Sequence, residues 1–164
     1  MAKPLITAEQ LRGILSYDPE TGVFAWSKKM GSRAKAGQRA GARTSDGYFC
    51  VKVLGKSYQA HRLAWLHVHG EWPAQDIDHI NGDRTDNRLS NLRDVATSVN
   101  CQNQKRARKD NKSGYLGVSE LNGEYVAQIG LAGRIYKLGR FQSPEVAHSA
   151  YLAAKRQMHS GCTI

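Results

Sequence analysis

Cysteine and acidic side chains are both scarce in this chain of 164 residues. The three cysteines, Cys50, Cys101 and Cys162, lie far apart and no C-x-x-C pair occurs, which excludes a disulfide framework and a structural zinc knuckle. The 14 acidic residues stand against 24 lysines and arginines, so the formal net charge is +10. Such a balance favours a polyanionic partner, nucleic acid first of all.

Long apolar segments are missing as well. The chain has no run of about 20 apolar residues and no basic helix with a broad apolar face, so neither membrane spanning nor surface insertion is expected. The opening MAKPLITAEQ lacks the apolar centre of a signal peptide. We therefore expect a soluble protein of the cytoplasm.

The N-terminal part predicts a small α/β region. Thr7 is placed to cap a helix in which Leu11 and Ile14 recur at helical spacing, and VFAW predicts a strand. The stretch that follows holds six cations among glycines, which predicts a basic, mobile loop. A solvated charge run and an arm that contacts phosphates are both open here. The six cations are Lys28, Lys29, Arg33, Lys35, Arg39 and Arg43.

The middle of the chain predicts a strand pair, a helix and then a β-turn-β-α unit. Two strands flank the turn at Gly55, and the helix that follows them ends at Gly70. Further on, a short strand precedes a second helix that Thr97 or Ser98 would cap and that runs through SVNCQNQKRARK.

The segment IDHINGDRTDNRLSNL, residues 77–92, joins the strands of that unit. Asp78 and His79 stand side by side in it, ahead of an Asn-Gly turn. Neighbouring strand residues point to opposite faces unless the strand bends, so this pair alone is a weak indication of a site. A β-turn-β-α fold would bring Asn91 and Asn100 to the same place.

Oxygen-bearing side chains at this place suit a hard cation. A carboxylate from Asp78 and an amide oxygen from Asn100 would leave positions open for water and phosphate oxygens, as Mg²⁺ sites usually do. A calcium EF-hand fails on spacing, because Ile77 would stand at its first position if Gly82 stood at its sixth. A thiolate zinc site fails because only Cys101 is nearby.

The last third of the chain predicts a second module. Residues 105–113, KRARKDNKS, hold five cations and one anion and predict a linker. Three strand candidates follow, and Ser143 is placed to cap a final helix. Alternation turns Tyr125, Ala127 and Ile129 towards that helix. The apolar stripe of the helix would be Val146, Ala150, Tyr151 and Ala154. The outward sheet positions would be Leu116, Ser119, Val126, Gln128, Gly130, Ile135 and Lys137.

The runs AHRLAW and DIDHINGDRTDNRLSNLRDVATSVNCQN resemble the HNH endonuclease family, in its phage and intron-encoded homing type. The family name records a His, an Asn and a final His, which is replaced by Asn in this chain. By position, His79 corresponds to the first of these, Asn91 to the second and Asn100 to the third.

This resemblance, which extends roughly over residues 5–103, implies a DNA endonuclease with a ββα-metal active site. His79 would take a proton from the attacking water, and Asn91 would fix the loop and the tilt of His79. Asp78 and Asn100 would hold one Mg²⁺ or Mn²⁺ ion, which neutralises the developing charge and stabilises the departing 3′ oxygen. The products would carry a 5′ phosphate and a 3′ hydroxyl.

A second resemblance rests on four stretches of the C-terminal module, namely SGYLGVSE, EYVAQI, KLGRF and SPEVAHSAYLAA. They are similar to the plant ethylene-response-factor (Apetala-type) DNA-binding domain, whose three strands lie in the major groove while a helix braces the sheet. The outward positions here lack that family's Arg and Trp, so base readout and a sheet used for packing or weak binding are both open. Gln128 could pair with adenine, and Arg134, Lys137 and Arg140 could reach phosphates.

Together these patterns predict an α+β protein with an N-terminal region (1–47), an HNH nuclease domain (48–104), a basic linker (105–113) and an Apetala-type domain (114–160). A monomer or weak dimer would bind double-stranded DNA, with no membrane and no protein partner, in the host cytoplasm if a phage encodes it. The alternative is a DNA-binding transcriptional regulator with an inactive nuclease centre. The predicted DNA contacts are Arg62, Lys105, Arg106, Arg108, Lys109, Gln128, Arg134 and Lys137.

Overall fold

The computed structural model of the protein describes residues 5–32 and 34–163. Within them the fold is α+β, as predicted, with four α-helices and four small antiparallel sheets. The chain forms two compact units, residues 1–95 and 96–164. No helix in this part of the chain is long and apolar enough to cross a membrane. Arg33 of the basic stretch lies outside the described residues, and the four domain bounds stay predictions.

The first unit begins with a capped helix and a hairpin. The Thr7 hydroxyl accepts from the Gln10 amide at 3.2 Å, and the Gln10 side chain accepts from the Thr7 amide at 3.1 Å, which together form a capping box. The predicted helix is confirmed as α1, Ala8–Arg12, which is shorter than its apolar pattern indicated. The chain then forms β1, Leu15–Asp18, and the predicted strand β2, Val23–Trp26.

The basic stretch after β2 is not a plain loop. The Trp26 amide donates to the Gln38 carbonyl at 3.0 Å, and the Ala40 amide donates to the Phe24 carbonyl at 2.7 Å. Ala40 is buried in the core, and the stretch ends in β3, Ala42–Arg43. The composition of this stretch predicted a loop because composition carries no information about main-chain hydrogen bonds of this kind.

A three-stranded sheet and a helix build the core of the first unit. β4, Phe49–Val53, and β5, Lys56–Gln59, form the predicted hairpin, and β3 pairs with the other edge of β4. The predicted helix is confirmed as α2, Ala60–His69, and it ends at Gly70, whose φ of 83° favours glycine. The most buried apolar residues of this core include Leu11, Leu15, Phe24, Val51, Val53, Leu63 and Leu66.

The next hairpin carries residues 77–92. β6, Asp76–His79, pairs with β7, Leu92–Val95, and a single 3-10 turn, Leu89–Asn91, leads into β7. The Asp94 carboxylate accepts from the two main-chain amides that precede β6, at 2.8 and 2.9 Å. The strand predicted from LRDVAT is therefore confirmed, and Asp94 fixes where its partner strand begins.

The second unit opens with α3, Thr97–Gln102. Its N-cap is Ala96, whose side chain makes no capping bond, so the predicted cap by Thr97 or Ser98 is wrong. The helix also ends at Gln102 instead of continuing into the basic run. The residues beyond it are almost all polar or charged, and a short helix needs an apolar face to bury.

The rest of the second unit is a sheet and a long helix, as predicted. β8, Val118–Leu121, β9, Glu124–Leu131, and β10, Arg134–Phe141, form an antiparallel sheet with β9 in the centre. α4, Pro144–Met158, packs on this sheet. The Ser143 hydroxyl caps α4 by accepting from the amide of its third residue at 3.3 Å.

The face that α4 buries is shifted from the predicted stripe. Ala147 and Tyr151 are buried against the sheet, whereas Val146 is 55% exposed. Ala147 is fully buried in the core cluster, so the buried face of α4 runs through Ala147 and Tyr151. Leu116 was predicted to face outward, but it packs partly against the core. Val126 was also predicted to face outward; it is not part of that core, and it is buried between the flanking strands.

Leu63→Ala should lower the free energy of unfolding of the first unit by about 2–5 kcal/mol, because truncation of this fully buried side chain leaves a cavity. Trp26, Trp65 and Trp72 are all the tryptophans of the chain and all lie in this unit, so their fluorescence in urea reports on it. The control Leu54→Ala, at a 56% exposed position, should change the value by less than about 0.5 kcal/mol. Equal unfolding midpoints for the two variants would contradict this packing.

Candidate active site

His79 is the last residue of β6, directly after Asp78. Both side chains are buried, with 5% and 6% of their surface exposed. On β7, Leu92 lies opposite His79 and Arg93 lies opposite Asp78. A strand end thus fixes the two predicted functional side chains, and residues 80–91 form the loop that connects the strands.

Asn91 closes this loop with both ends of its side chain. Its Oδ1 accepts from the Asn81 amide at 2.9 Å, and its Nδ2 donates to the Asp86 carbonyl at 2.8 Å. Its main-chain oxygen accepts from the Ile80 amide at 2.9 Å. A buried amide bonded at both ends stabilises the conformation around it. These contacts agree with a loop-fixing role, which itself stays a prediction.

The two carboxylates of the loop are held by groups of the loop itself. Asp86 forms an ion pair with Arg88 at 2.6 Å, and the hydrogen bond from Arg88 lowers the pKa of Asp86 to about 2. Asp83 accepts from the Thr85 amide and hydroxyl at 2.9 and 2.8 Å, which lowers the pKa of Asp83. Both acidic side chains therefore stabilise the loop in their charged form.

Asn87 orients the His79 ring, a contact that the sequence patterns did not indicate. The Nε2 atom of His79 lies 3.2 Å from the Oδ1 atom of Asn87, which is itself buried. The Asn87 Nδ2 donates to the Thr85 carbonyl at 3.3 Å, so the amide oxygen is the atom directed at the ring. The tautomer of His79 that makes this hydrogen bond carries its proton on Nε2 and its basic lone pair on Nδ1.

His61, in the first turn of α2, forms a wall of the site. Its ring meets the His79 ring edge-on with the centroids 5.0 Å apart, and the Tyr48 ring lies 5.3 Å from His61 and 6.1 Å from His79. Burial lowers the pKa of His61 to about 3. Burial also lowers the pKa of His79, against the opposing effect of its hydrogen bond with Asn87. Both imidazoles are therefore neutral at about pH 7, the state in which His79 can accept a proton.

Asp78, His79, Asn91 and Asn100 all fall within a stretch that is similar to a known family. Residues 58–101 match the family model for HNH endonucleases. This match supports a nuclease of the HNH type, and such a domain implies a nucleic acid substrate. It does not reach the C-terminal sheet, so it lends no support to the Apetala-type resemblance. No curated protein and no solved structure matches the chain.

HNH nucleases typically depend on a divalent metal, and the residues predicted to hold it are Asp78 and Asn100. Carboxylate and amide oxygens are ligands that Mg²⁺ prefers, and it keeps several waters when few protein ligands are offered. Among the described residues, no three His, Cys, Asp or Glu side chains are grouped to hold a metal. The Oδ2 atom of Asp78 accepts from Nε and Nη2 of Arg93 at 2.9 and 2.7 Å, so a cation would share this carboxylate with Arg93.

The other predicted site residues are spread over both units. Arg62 lies on α2 of the first unit, and Asn100 lies on α3 of the second. On the sheet, Gln128 is half-buried, while Arg134 and Lys137 are exposed. Their contacts with DNA, and the metal contact of Asn100, stay predictions. The predicted linker contacts, of which the first is half-buried and the others are exposed, are Lys105, Arg106, Arg108 and Lys109.

Asn91→Ala should expose one amide of the loop and leave its neighbour protected. The Asn81 amide bonds the side chain that is removed, whereas the Ile80 amide bonds the main-chain oxygen that remains. The free energy of opening at the Asn81 amide should fall by about 1–3 kcal/mol, measured by hydrogen exchange. Exchange that accelerates equally at both amides would contradict this description, since the whole hairpin would then have opened.

His61→Phe should reduce the acid sensitivity of the first unit. The unfolded chain takes up a proton at His61 as the pH falls below about 6.5, but the folded chain does so only near about 3, so stability is lost across this range by up to about 1.4 kcal/mol per pH unit. Phenylalanine fills the same space and does not titrate. Urea midpoints from tryptophan fluorescence should be similar for both proteins at about pH 7.5 and higher for the variant at about pH 4.5. An unchanged pH slope would show that His61 is not buried as a neutral group.

Proposed function

We propose that the protein is a metal-dependent DNA endonuclease of the HNH type that hydrolyses phosphodiester bonds to 5′-phosphate and 3′-hydroxyl ends. The observation that carries the proposal is the buried His79, kept neutral by burial and oriented through Nε2 by Asn87. An imidazole in this state can accept a proton from water at about neutral pH. The family match over residues 58–101 supports the same class of reaction.

In the proposed reaction, the Nδ1 atom of His79 accepts a proton from a water molecule whose oxygen attacks the phosphorus. The bond from phosphorus to the 3′ oxygen breaks as the new bond forms, and the departing oxygen takes a proton from solvent. Asn87 keeps Nδ1 as the basic atom by occupying Nε2, and His61 shields the ring from bulk water. Asn91 holds the loop on which Asn87 lies.

Asp78 and Asn100 are the residues that would hold a divalent ion, Mg²⁺ or Mn²⁺, with one ion in the site. When bound, the ion would supply positive charge that stabilises the departing 3′ oxygen. Arg93 donates two hydrogen bonds to Oδ2 of Asp78. These bonds orient the Asp78 carboxylate whether or not an ion is bound. The donor set of one carboxylate and one amide leaves room for water and phosphate oxygens.

Double-stranded DNA is the proposed substrate, and the phage homing type is the proposed branch of the HNH nucleases. The net charge of +10 supports a polyanionic substrate. The C-terminal sheet supports a part in binding, because Ile135 on β10 is 70% exposed and the exposed, basic Arg134 and Lys137 lie on the same strand. Exposed apolar and basic groups together suit contact with bases and phosphates, as an Apetala-type sheet would use them.

Supercoiled plasmid should be nicked or linearised by the protein with Mg²⁺ or Mn²⁺ and should stay intact in EDTA. His79→Ala removes the proposed base and should slow cleavage by about 10²–10⁴-fold, and Asp78→Ala should abolish it, while both variants still bind DNA. His69→Ala is the matched control, since this exposed histidine lies against Trp65 outside the site, with the ring centroids 4.2 Å apart. Salt-sensitive DNA binding without any cleavage would contradict the nuclease and indicate the DNA-binding regulator.

A further inference from the structure

Arg84 differs from the other arginines of the site hairpin. Arg88 pairs with Asp86, and Arg93 pairs with Asp78. Arg84 is exposed, and among the described residues no carboxylate oxygen lies within 4.0 Å of its guanidinium. The hairpin thus pairs two of its three arginines with carboxylates at short range, whereas Arg84 has a longer-range electrostatic interaction with Asp46 and keeps donors for a ligand.

The guanidinium of Arg84 is nevertheless held in a defined place. Its Nη1 donates to the Asp46 carbonyl at 2.9 Å, and its Cζ lies 4.8 Å from the centre of the Tyr48 ring. An arginine presents five donors in a rigid fork, so stacking on one face and one hydrogen bond at an edge leave further N–H groups for a ligand. A cation fixed in this way loses little conformational freedom on binding.

Tyr48 connects this cation to the proposed base. The Tyr48 ring, over which the Arg84 guanidinium lies, is 6.1 Å from the His79 ring and 5.3 Å from the His61 ring. A second cation approaches the same turn, because the Arg43 Nη2 lies 3.9 Å from the place that a Cβ at Gly47 would take. Tyr48 is thus a neighbour both of the Arg84 cation and of the proposed base, and Arg43 adds a second cation at the turn before Tyr48.

We propose that Arg84 and Tyr48 form a subsite for the phosphodiester that is cut, in which Arg84 donates hydrogen bonds to a non-bridging oxygen and Tyr48 holds the guanidinium in place. This inference rests on the proposed function and adds a substrate-contacting residue to it. Guanidinium groups form strong, charge-assisted hydrogen bonds with phosphate. The contact strengthens as negative charge develops on the phosphoryl oxygens, so Arg84 should affect the rate of cleavage more than the affinity for DNA.

The phosphate contact is tested first without cleavage, by measuring the binding of a DNA duplex in EDTA over a series of salt concentrations. Arg84→Ala should reduce the slope of log Kd against log salt by about one. Lys56→Ala is the matched control: it also removes one cation from a tyrosine ring, at 5.7 Å, but that ring stacks on Trp72 and not on His79. An unchanged slope for Arg84→Ala, or an equal fall for both variants, would overturn the contact.

The effect on the reaction is tested by single-turnover cleavage with Mg²⁺. Arg84→Ala should slow cleavage by about 10²-fold or more at saturating protein, Arg84→Lys less, and added guanidinium should restore part of the Arg84→Ala rate. Tyr48→Leu should also slow cleavage, because it removes the ring over which the Arg84 guanidinium lies. A wild-type rate for Arg84→Ala, or a loss that guanidinium does not restore, would overturn the subsite. Failure of the wild-type protein to cleave would refute the proposed function, and the salt series would still decide the phosphate contact.

Discussion

The candidate site depends on the closure of the β6–β7 loop by the Asn91 side chain. Because Asn91 bonds the start of the loop at Asn81 and its middle at Asp86, the path of the chain between them is fixed. That path determines where Asn87 stands, and Asn87 determines which nitrogen of His79 carries the proton. One buried amide is thereby linked, through the backbone and a second amide, to the atom that would do the chemistry.

Burial and local pairing give this site electrostatic properties that the net charge of the chain does not suggest. The two histidines face each other away from water and are neutral, although the protein as a whole is strongly basic. Acidic groups of the hairpin are balanced by arginines at short range, in the pairs Asp86–Arg88 and Asp78–Arg93. A neutral base needs such local balance, since a bare carboxylate beside it would raise its pKa.

In the second unit, polar contacts hold the basic segment 105–113 and the residue before it against α4 and the sheet. Lys155 on α4 is only 1% exposed, and its Nζ donates to the Gln104 carbonyl just beyond α3. Burial lowers the pKa of Lys155, because its charged form loses contact with water. Nearer the sheet, the Ser113 hydroxyl donates to the Val118 carbonyl at 2.8 Å, and the Asn111 side chain bonds the Tyr115 carbonyl at 3.1 Å. The segment predicted as a linker is thus bonded to the sheet side at its C-terminal end, and the residue that precedes it is held by α4.

The sequence by itself determined the features that follow short-range rules: the cap of α4 at Ser143, the hairpin turn at Gly55 and the placement of Asp78 and His79 at a strand end. Only the tertiary structure decided the partners of the site, such as Asn87 against His79 and Arg93 on Asp78, and the face of α4 that is buried. Caps and turns involve neighbours along the chain, so their residue types are enough to predict them. Contacts across a loop or between strands depend on register and packing, which no local periodicity specifies.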